Sequence, residues 1–152
     1  MDGKWDETAK EVINAFAKRS HCIQFQIGVA FFKDGRPLAV GYNGPPRKEP
    51  HCNEIGCAKR GPKGERLPAG SGLCRGAHAE MNAIANAARE GINLSGTTVY
   101  CSLTPCYDCA KVLANLGIKE FVYEKEYPDE ELKVFGLFER QGIKIRKFGE
   151  VK

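Results

Sequence analysis

The sequence predicts an α/β domain, a three-layer α/β/α sandwich around a five-stranded mixed sheet. Three observations carry this. From residue 77 onward, helix-like and strand-like runs alternate, which asks for parallel pairing with helices packed over both faces of the sheet. Before them, Lys33-Asp34-Gly35-Arg36 separates two apolar runs, and Asp-Gly in that setting marks a hairpin and an antiparallel pair. The 152 residues are 42% hydrophobic and 28% charged, enough for one full core with the composition of an ordinary globular protein. Residues 1–152 are therefore read as a single domain.

Each element has its own signal. Over 6–19, Ala9, Val12, Ile13, Phe16 and Ala17 recur at the helical period and form one buried stripe. The hairpin strands are expected over 25–32 and 37–42. The run from Ala77 to Ala88 is rich in strong helix formers, so a helix is expected over 77–90 with a turn framed by Gly91 and Gly96. A third strand follows over 97–102. Pro105 suits the first turn of the next helix, 106–116, which Gly117 closes. A strand over 120–124, a helix over 130–141 and a strand over 143–147 complete the pattern.

Net charge is +4, mild enough to suit an anionic substrate but too weak to imply nucleic acid without a clustered basic face. No apolar run is long enough to span a membrane. The start, Met1-Asp2-Gly3-Lys4-Trp5-Asp6-Glu7, is acidic and polar, unlike a signal or transit peptide, so a cytoplasmic location is expected. In that reducing compartment, seven cysteines point to metal ligation sooner than to disulfides.

Two short patterns carry the chemistry: His78-Ala79-Glu80 and Pro105-Cys106-Tyr107-Asp108-Cys109. One imidazole and two thiolates fill three positions of a tetrahedral zinc ion, and an open fourth distinguishes a catalytic zinc from a structural one. Glu80, two residues from His78, lies near such a metal without having to bind it. A carboxylate there can carry a proton from zinc-bound water to a substrate. The arrangement H-x-E…P-C-x-x-C is the signature of zinc-dependent nucleobase deaminases. Both patterns open helices, whose positive dipole ends favour thiolates and a developing negative charge.

The stretch 43–76 is different. It is full of Gly, Pro and charge and has no periodicity, as expected of a functional, ligand-tethered or disordered loop. It holds His51, Cys52, Cys57 and Cys74, with Cys22 just ahead of the first strand. Cys22, Cys52, Cys57 and Cys74 fit a second, structural zinc that ties this insertion down, with His51 as an alternative ligand. The competing reading is a set of incidental free thiols. Cys101 reads as a small core residue on a strand.

Three segments together resemble deoxycytidylate (dCMP) deaminases, especially the bacterial and archaeal late-competence-protein-like forms. They are Gly41-Tyr42-Asn43-Gly44-Pro45-Pro46, Cys74-Arg75-Gly76-Ala77-His78-Ala79-Glu80-Met81-Asn82-Ala83 and Thr104-Pro105-Cys106-Tyr107-Asp108-Cys109-Ala110-Lys111. The resemblance runs from about Cys22 to Tyr127. It implies a cytidine deaminase-like fold and hydrolysis of dCMP to dUMP and ammonia, supplying dUMP for thymidylate synthesis. It implies that His78, Cys106 and Cys109 hold zinc, while Glu80 moves protons from water to N3 and to the leaving amine. Asn43 is the candidate contact to the sugar, with a turn role in Asn-Gly as the alternative, and Ala77, Ser102 and Tyr107 are further candidate substrate contacts, with a surface tyrosine as the alternative for Tyr107. Arg47, Lys48, Arg75 and Lys111 are candidate phosphate ligands, with solvated surface charge as the default. The resemblance also implies a homohexamer, with a dimer as the alternative. It makes dCTP and dTTP candidate effectors on the loop where this chain departs from the family with Arg47-Lys48.

Two other functions compete. A tRNA adenosine deaminase or other polynucleotide deaminase shares both motifs but is expected to carry a basic RNA-binding face, whereas the tail 144–152 is short and mixed in sign. Riboflavin-pathway deaminases space the two cysteines more widely. A non-catalytic zinc-binding competence or regulatory module would have no need of the unliganded Glu80.

Overall fold

The computed structural model describes residues 3–60, 63–67, 73–127 and 131–150, with Glu131 described by its backbone alone. Its elements run α1 (Asp6–Ala17), β1 (Gly28–Lys33), β2 (Arg36–Tyr42), α2 (Cys52–Ile55), α3 (Ala79–Glu90), β3 (Thr98–Leu103), α4 (Tyr107–Leu116), β4 (Glu120–Lys125), α5 (Glu131–Gln141) and β5 (Lys144–Lys147). The five strands form one mixed sheet in the order β2-β1-β3-β4-β5. β1 is antiparallel to both β2 and β3, while β3–β4 and β4–β5 are parallel. This is the fold class read from the sequence.

The hairpin turn forms where Asp-Gly placed it. Asp34 and Gly35 both take positive φ, 53° and 73°, the mirror-image turn whose twist matches its flanking strands.

The central strands are buried on both faces, as parallel-sheet interiors require. Val29, Phe31, Val99, Cys101, Phe121 and Tyr123 face the larger core, packed under α3, α4 and α5. The alternate residues Ala30, Phe32, Tyr100 and Val122 face Ala9 and Ile13 of α1 on the opposite side. Chirality explains this unequal division. The connections β2-α3-β3, β3-α4-β4 and β4-α5-β5 all advance in one direction across the sheet, so right-handed crossovers place all three helices on one face. Only α1 remains to cover the other.

Arg146 on β5, 1% exposed, anchors α1. Its guanidinium donates to Asp6 at 2.7 and 2.9 Å and to Glu120 at 3.3 and 3.4 Å. Two carboxylates and five available N–H donors make this a satisfied buried network.

Several boundaries differ from expectation. β1 starts at Gly28 and not at Phe25, because the backbone groups of Phe25 and Ile27 bond Asn43 and not a strand ladder. Gly28 itself meets α1 so closely that a Cβ there would lie 2.0 Å from the Ile13 carbonyl oxygen. Pro105 precedes α4 and lies outside its first turn, because the Cys106 sulfur takes the N-cap position and accepts from the Cys109 N–H. The stretch expected to lack regular structure contains the one-turn helix α2 and a bridge between Arg60 and Arg66. Neither feature is long enough to show a period in sequence. Glu130, where the last helix was expected to begin, lies outside the described residues. Among the described residues, no helix is long and apolar enough to cross a membrane.

Candidate active site

The site forms where α3 and α4 begin. His78 is the N-cap of α3 and Cys106 the N-cap of α4, both with extended backbone, so their side chains stand off the helix ends and not along the helix sides. Cys109, one turn into α4, points the same way. His78 Nδ1 lies 3.3 Å from the sulfurs of both Cys106 and Cys109, and all three ligand atoms fall within 4.8 Å of one another. Among the described residues this is the one group of three or more such side chains that converge.

The spacing fits zinc. Bonds of about 2.0–2.1 Å to nitrogen and about 2.3 Å to sulfur at tetrahedral angles would separate N from S by roughly 3.6 Å. The site is already near that geometry, and the donor set, one borderline imidazole and two soft thiolates, is one zinc prefers.

Charge is arranged around this group. The hydrogen bond from Cys109 pulls the Cys106 thiol down to about 4, and the interaction with His78 acts in the same direction. Cys109 moves the opposite way, because the pair shares a proton and burial disfavours a second thiolate. His78 is held above its usual value, first by its hydrogen bond with Cys106. Glu80, in the first turn of α3 and 5% exposed, is pushed up to about 7 by burial. It lies in the cavity wall with His78 and Cys106 but outside the converging ligand group.

The Gly-Tyr-Asn-Gly segment braces this helix start. Gly44 and Ala77 exchange backbone hydrogen bonds of 2.8 and 3.1 Å, and the Asn82 amide donates to the Tyr42 carbonyl at 2.9 Å. Asn43 lines the cavity, but its amide is held by backbone: Oδ1 accepts from Ile27 N–H at 2.8 Å and Nδ2 donates to the Phe25 carbonyl at 2.9 Å. Ser102 Oγ is engaged with both backbone groups of Gly28, at 3.0 and 3.3 Å. Ala77, Ser102 and Tyr107 are not part of the described cavity lining. The Tyr107 ring instead lies between Lys111 and Lys133, 4.9 and 5.8 Å from its centre.

Cys22, Cys52, Cys57 and Cys74 all line the same cavity as His78 and Glu80. No three ligand atoms among them and His51 lie mutually within 4.8 Å, and the His51 ring packs edge-on against His21 at 4.4 Å. Cys101 belongs to the core, as expected, but also forms cavity wall near Glu80, with its thiol pushed up by burial.

Sequence reasoning missed Lys59, Arg66 and Tyr127 in the lining. Lys59 and Arg66 come from the aperiodic insertion, where only their charge was visible. Of the four cations proposed for phosphate, Arg75 alone lines this cavity; Arg47 and Lys48 line a neighbouring cleft.

Comparison with known proteins places this geometry. Residues 3–125 match the model of the cytidine and deoxycytidylate deaminase zinc-binding region. Deoxycytidylate deaminase of Schizosaccharomyces pombe is 33% identical over 95% of this chain and 44% of its own length. That of Mycobacterium phage D29 is 36% identical, over 80% of this chain and 95% of its own. The crystal structure of dCMP deaminase from cyanophage S-TIM5 in complex with dCMP and dUMP superposes with a TM-score of 0.78, at 26% identity, covering 97% of this chain and 98% of that one. The chain spans less than half the length of the two yeast relatives it matches. A family model that covers most of the chain, including the converging His–Cys–Cys group, means that this chain belongs to the cytidine and deoxycytidylate deaminase zinc-binding family.

Proposed function

We propose that this protein hydrolyses dCMP to dUMP and ammonia. The observation that carries the proposal is a buried, non-ligating Glu80 beside a three-donor metal site. Relatives named deoxycytidylate deaminase, matched over most of this chain, support dCMP over other pyrimidines. His78, Cys106 and Cys109 would hold the catalytic zinc, which when bound would supply the Lewis acidity that makes water a nucleophile for C4.

The remaining work is proton transfer by Glu80. Its carboxylate accepts a proton from the attacking water and delivers it to N3 of the ring. A second proton, taken from the hydroxyl now on C4, goes through the same oxygens to the exocyclic amine, so the C4–N bond breaks with release of ammonia and C4 keeps the new oxygen as a carbonyl. Burial near the ordinary pH range suits a group that must both accept and return a proton. Asn43, held by the backbone of residues 25–27, presents the cavity wall near the sugar.

A second, structural zinc on Cys22, Cys52, Cys57 and Cys74 belongs to the same reading. Four soft donors face one cavity, and binding would draw them together as the insertion orders. The resemblance also supports a cytoplasmic homo-oligomer, a hexamer or a dimer, with dCTP and dTTP as effectors. Arg19, Arg47 and Lys48 in the neighbouring cleft offer the charge such triphosphates need.

The test is ammonia release from dCMP, CMP, cytidine and a short RNA stem-loop by the zinc-loaded protein. Fastest turnover of dCMP is expected. Preference for the RNA, with binding that weakens steeply in salt, would replace the proposal with a polynucleotide deaminase.

A further inference from the structure

Three cations line the active-site cavity. Lys59, Arg66 and Arg75 all line it, all come from the insertion between β2 and α3, and Glu80 is the one acidic side chain in the described lining. Among the described residues, no carboxylate lies within ion-pair distance of any of the three.

Two are oriented by neighbours. The Arg66 guanidinium sits 4.7 Å from the centre of the Phe25 ring, a stack that holds its planar fork in place. Arg75 donates through Nη2 to the Gly56 carbonyl, while its Nε is buried and has no hydrogen-bond partner. A buried guanidinium N–H without an acceptor is costly unless something else supplies one. Lys59 lines the same cavity as His78, Glu80 and Cys106, so these cations and the metal site share one space. The cavity that holds His78 and Glu80 therefore also offers two forked donors and one ammonium to an anionic group on a ligand.

We infer that Lys59, Arg66 and Arg75 form the subsite for the 5′-phosphate of the substrate. The insertion then selects nucleotide over nucleoside, while the helix ends perform the chemistry. A phosphate monoester fits the donors: its oxygens accept the paired N–H groups of a guanidinium, and its charge satisfies all three cations in a confined space. The assignment rests on the dCMP reading of the same site.

The experiment compares kcat/KM for dCMP and deoxycytidine in the wild-type protein and in Lys59→Ala, Arg66→Ala and Arg75→Ala, with dUMP and deoxyuridine binding followed by calorimetry. The wild type should favour dCMP. Each substitution should lower the dCMP-to-deoxycytidine ratio by about tenfold, the value of one charge-assisted hydrogen bond, and weaken dUMP relative to deoxyuridine by a similar factor. Arg66→Lys should recover part of that loss by restoring charge without the fork. If Arg75→Ala does not fold, the solvent-accessible Lys59 and Arg66 carry the test. Unchanged ratios in those two variants, or equal losses on both members of each pair, would overturn the assignment. A wild-type protein that deaminates deoxycytidine as well as dCMP would instead sink the dCMP reading. The calorimetric pair tests the phosphate subsite without turnover.

Discussion

His78 and Glu80 are two residues apart yet stand in different surroundings, because one caps α3 and the other sits inside its first turn. The cap side chain projects off the helix end toward the metal position, while the Glu80 carboxyl turns into the protein and is buried. Glu80→Gln keeps the shape and removes the transferable proton. It should lower kcat by about 10²–10⁴-fold with zinc content and melting temperature unchanged. Cys106→Ala should remove the metal together with the activity, as measured by elemental analysis. Loss of zinc from Glu80→Gln would show that Glu80 is a ligand and not a proton carrier. These residues were legible because ligand spacing is local: a cap and two positions one turn apart need only the chain itself. Asn43 was legible as a polar residue in a family motif and Ser102 as a candidate contact outside those motifs, but their hydrogen bonds to residues 25, 27 and 28 depend on segments brought in from elsewhere.

At the scale of elements, the site depends on how closely α3 lies against β2. A Cβ at Gly41 would stand 2.7 Å from both the Ala79 carbonyl oxygen and the Ala83 amide nitrogen, atoms of the turn that carries Glu80. Neither is a flexible side-chain end that can move aside. Gly41→Ala should therefore push α3 outward, costing about 1–3 kcal/mol in urea denaturation and lowering kcat by misplacing Glu80. Wild-type stability in that variant would show that the two elements are not in forced contact. Helices of ten to twelve residues were legible from period and from their glycine stops: Gly91 and Gly117 do take the left-handed C-cap conformation, with φ of 68° and 74°. The four-residue α2 was not, since one turn has no periodicity to read.

For the molecule as a whole, the open matter is how the insertion between β2 and α3 is held. It contributes Cys52, Cys57, Cys74 and three cations to the cavity, while the main core is built from the sheet and α3, α4 and α5. A second metal would supply the folding free energy that such a segment cannot draw from apolar burial. Elemental analysis of protein purified without chelator should then give close to two zinc ions per chain. Cys57→Ser or Cys74→Ser should reduce the count toward one, lower the melting temperature and leave the His78 site loaded. A wild-type count near one would remove the second metal from the proposal.

The sequence by itself determined whatever depends on neighbours along the chain. Alternating runs dictate a sheet with parallel pairing and helices over it, read as lying on both faces. The strand order β2-β1-β3-β4-β5 is what puts α3, α4 and α5 together on one face and leaves the other to α1. The Asp-Gly turn dictates the hairpin, and two helix starts carry a zinc-ligand set with a carboxylate beside it. Only the tertiary structure decided which distant groups meet. It joined His78 to Cys106 and Cys109 at 3.3 Å, spent the Asn43 amide on the backbone, and brought Lys59, Arg66 and Arg75 to the same cavity as Glu80. The physical reason is that periodicity and capping are short-range. The placement of an aperiodic, charged insertion is settled by contacts across the fold, and no repeat in the sequence records those.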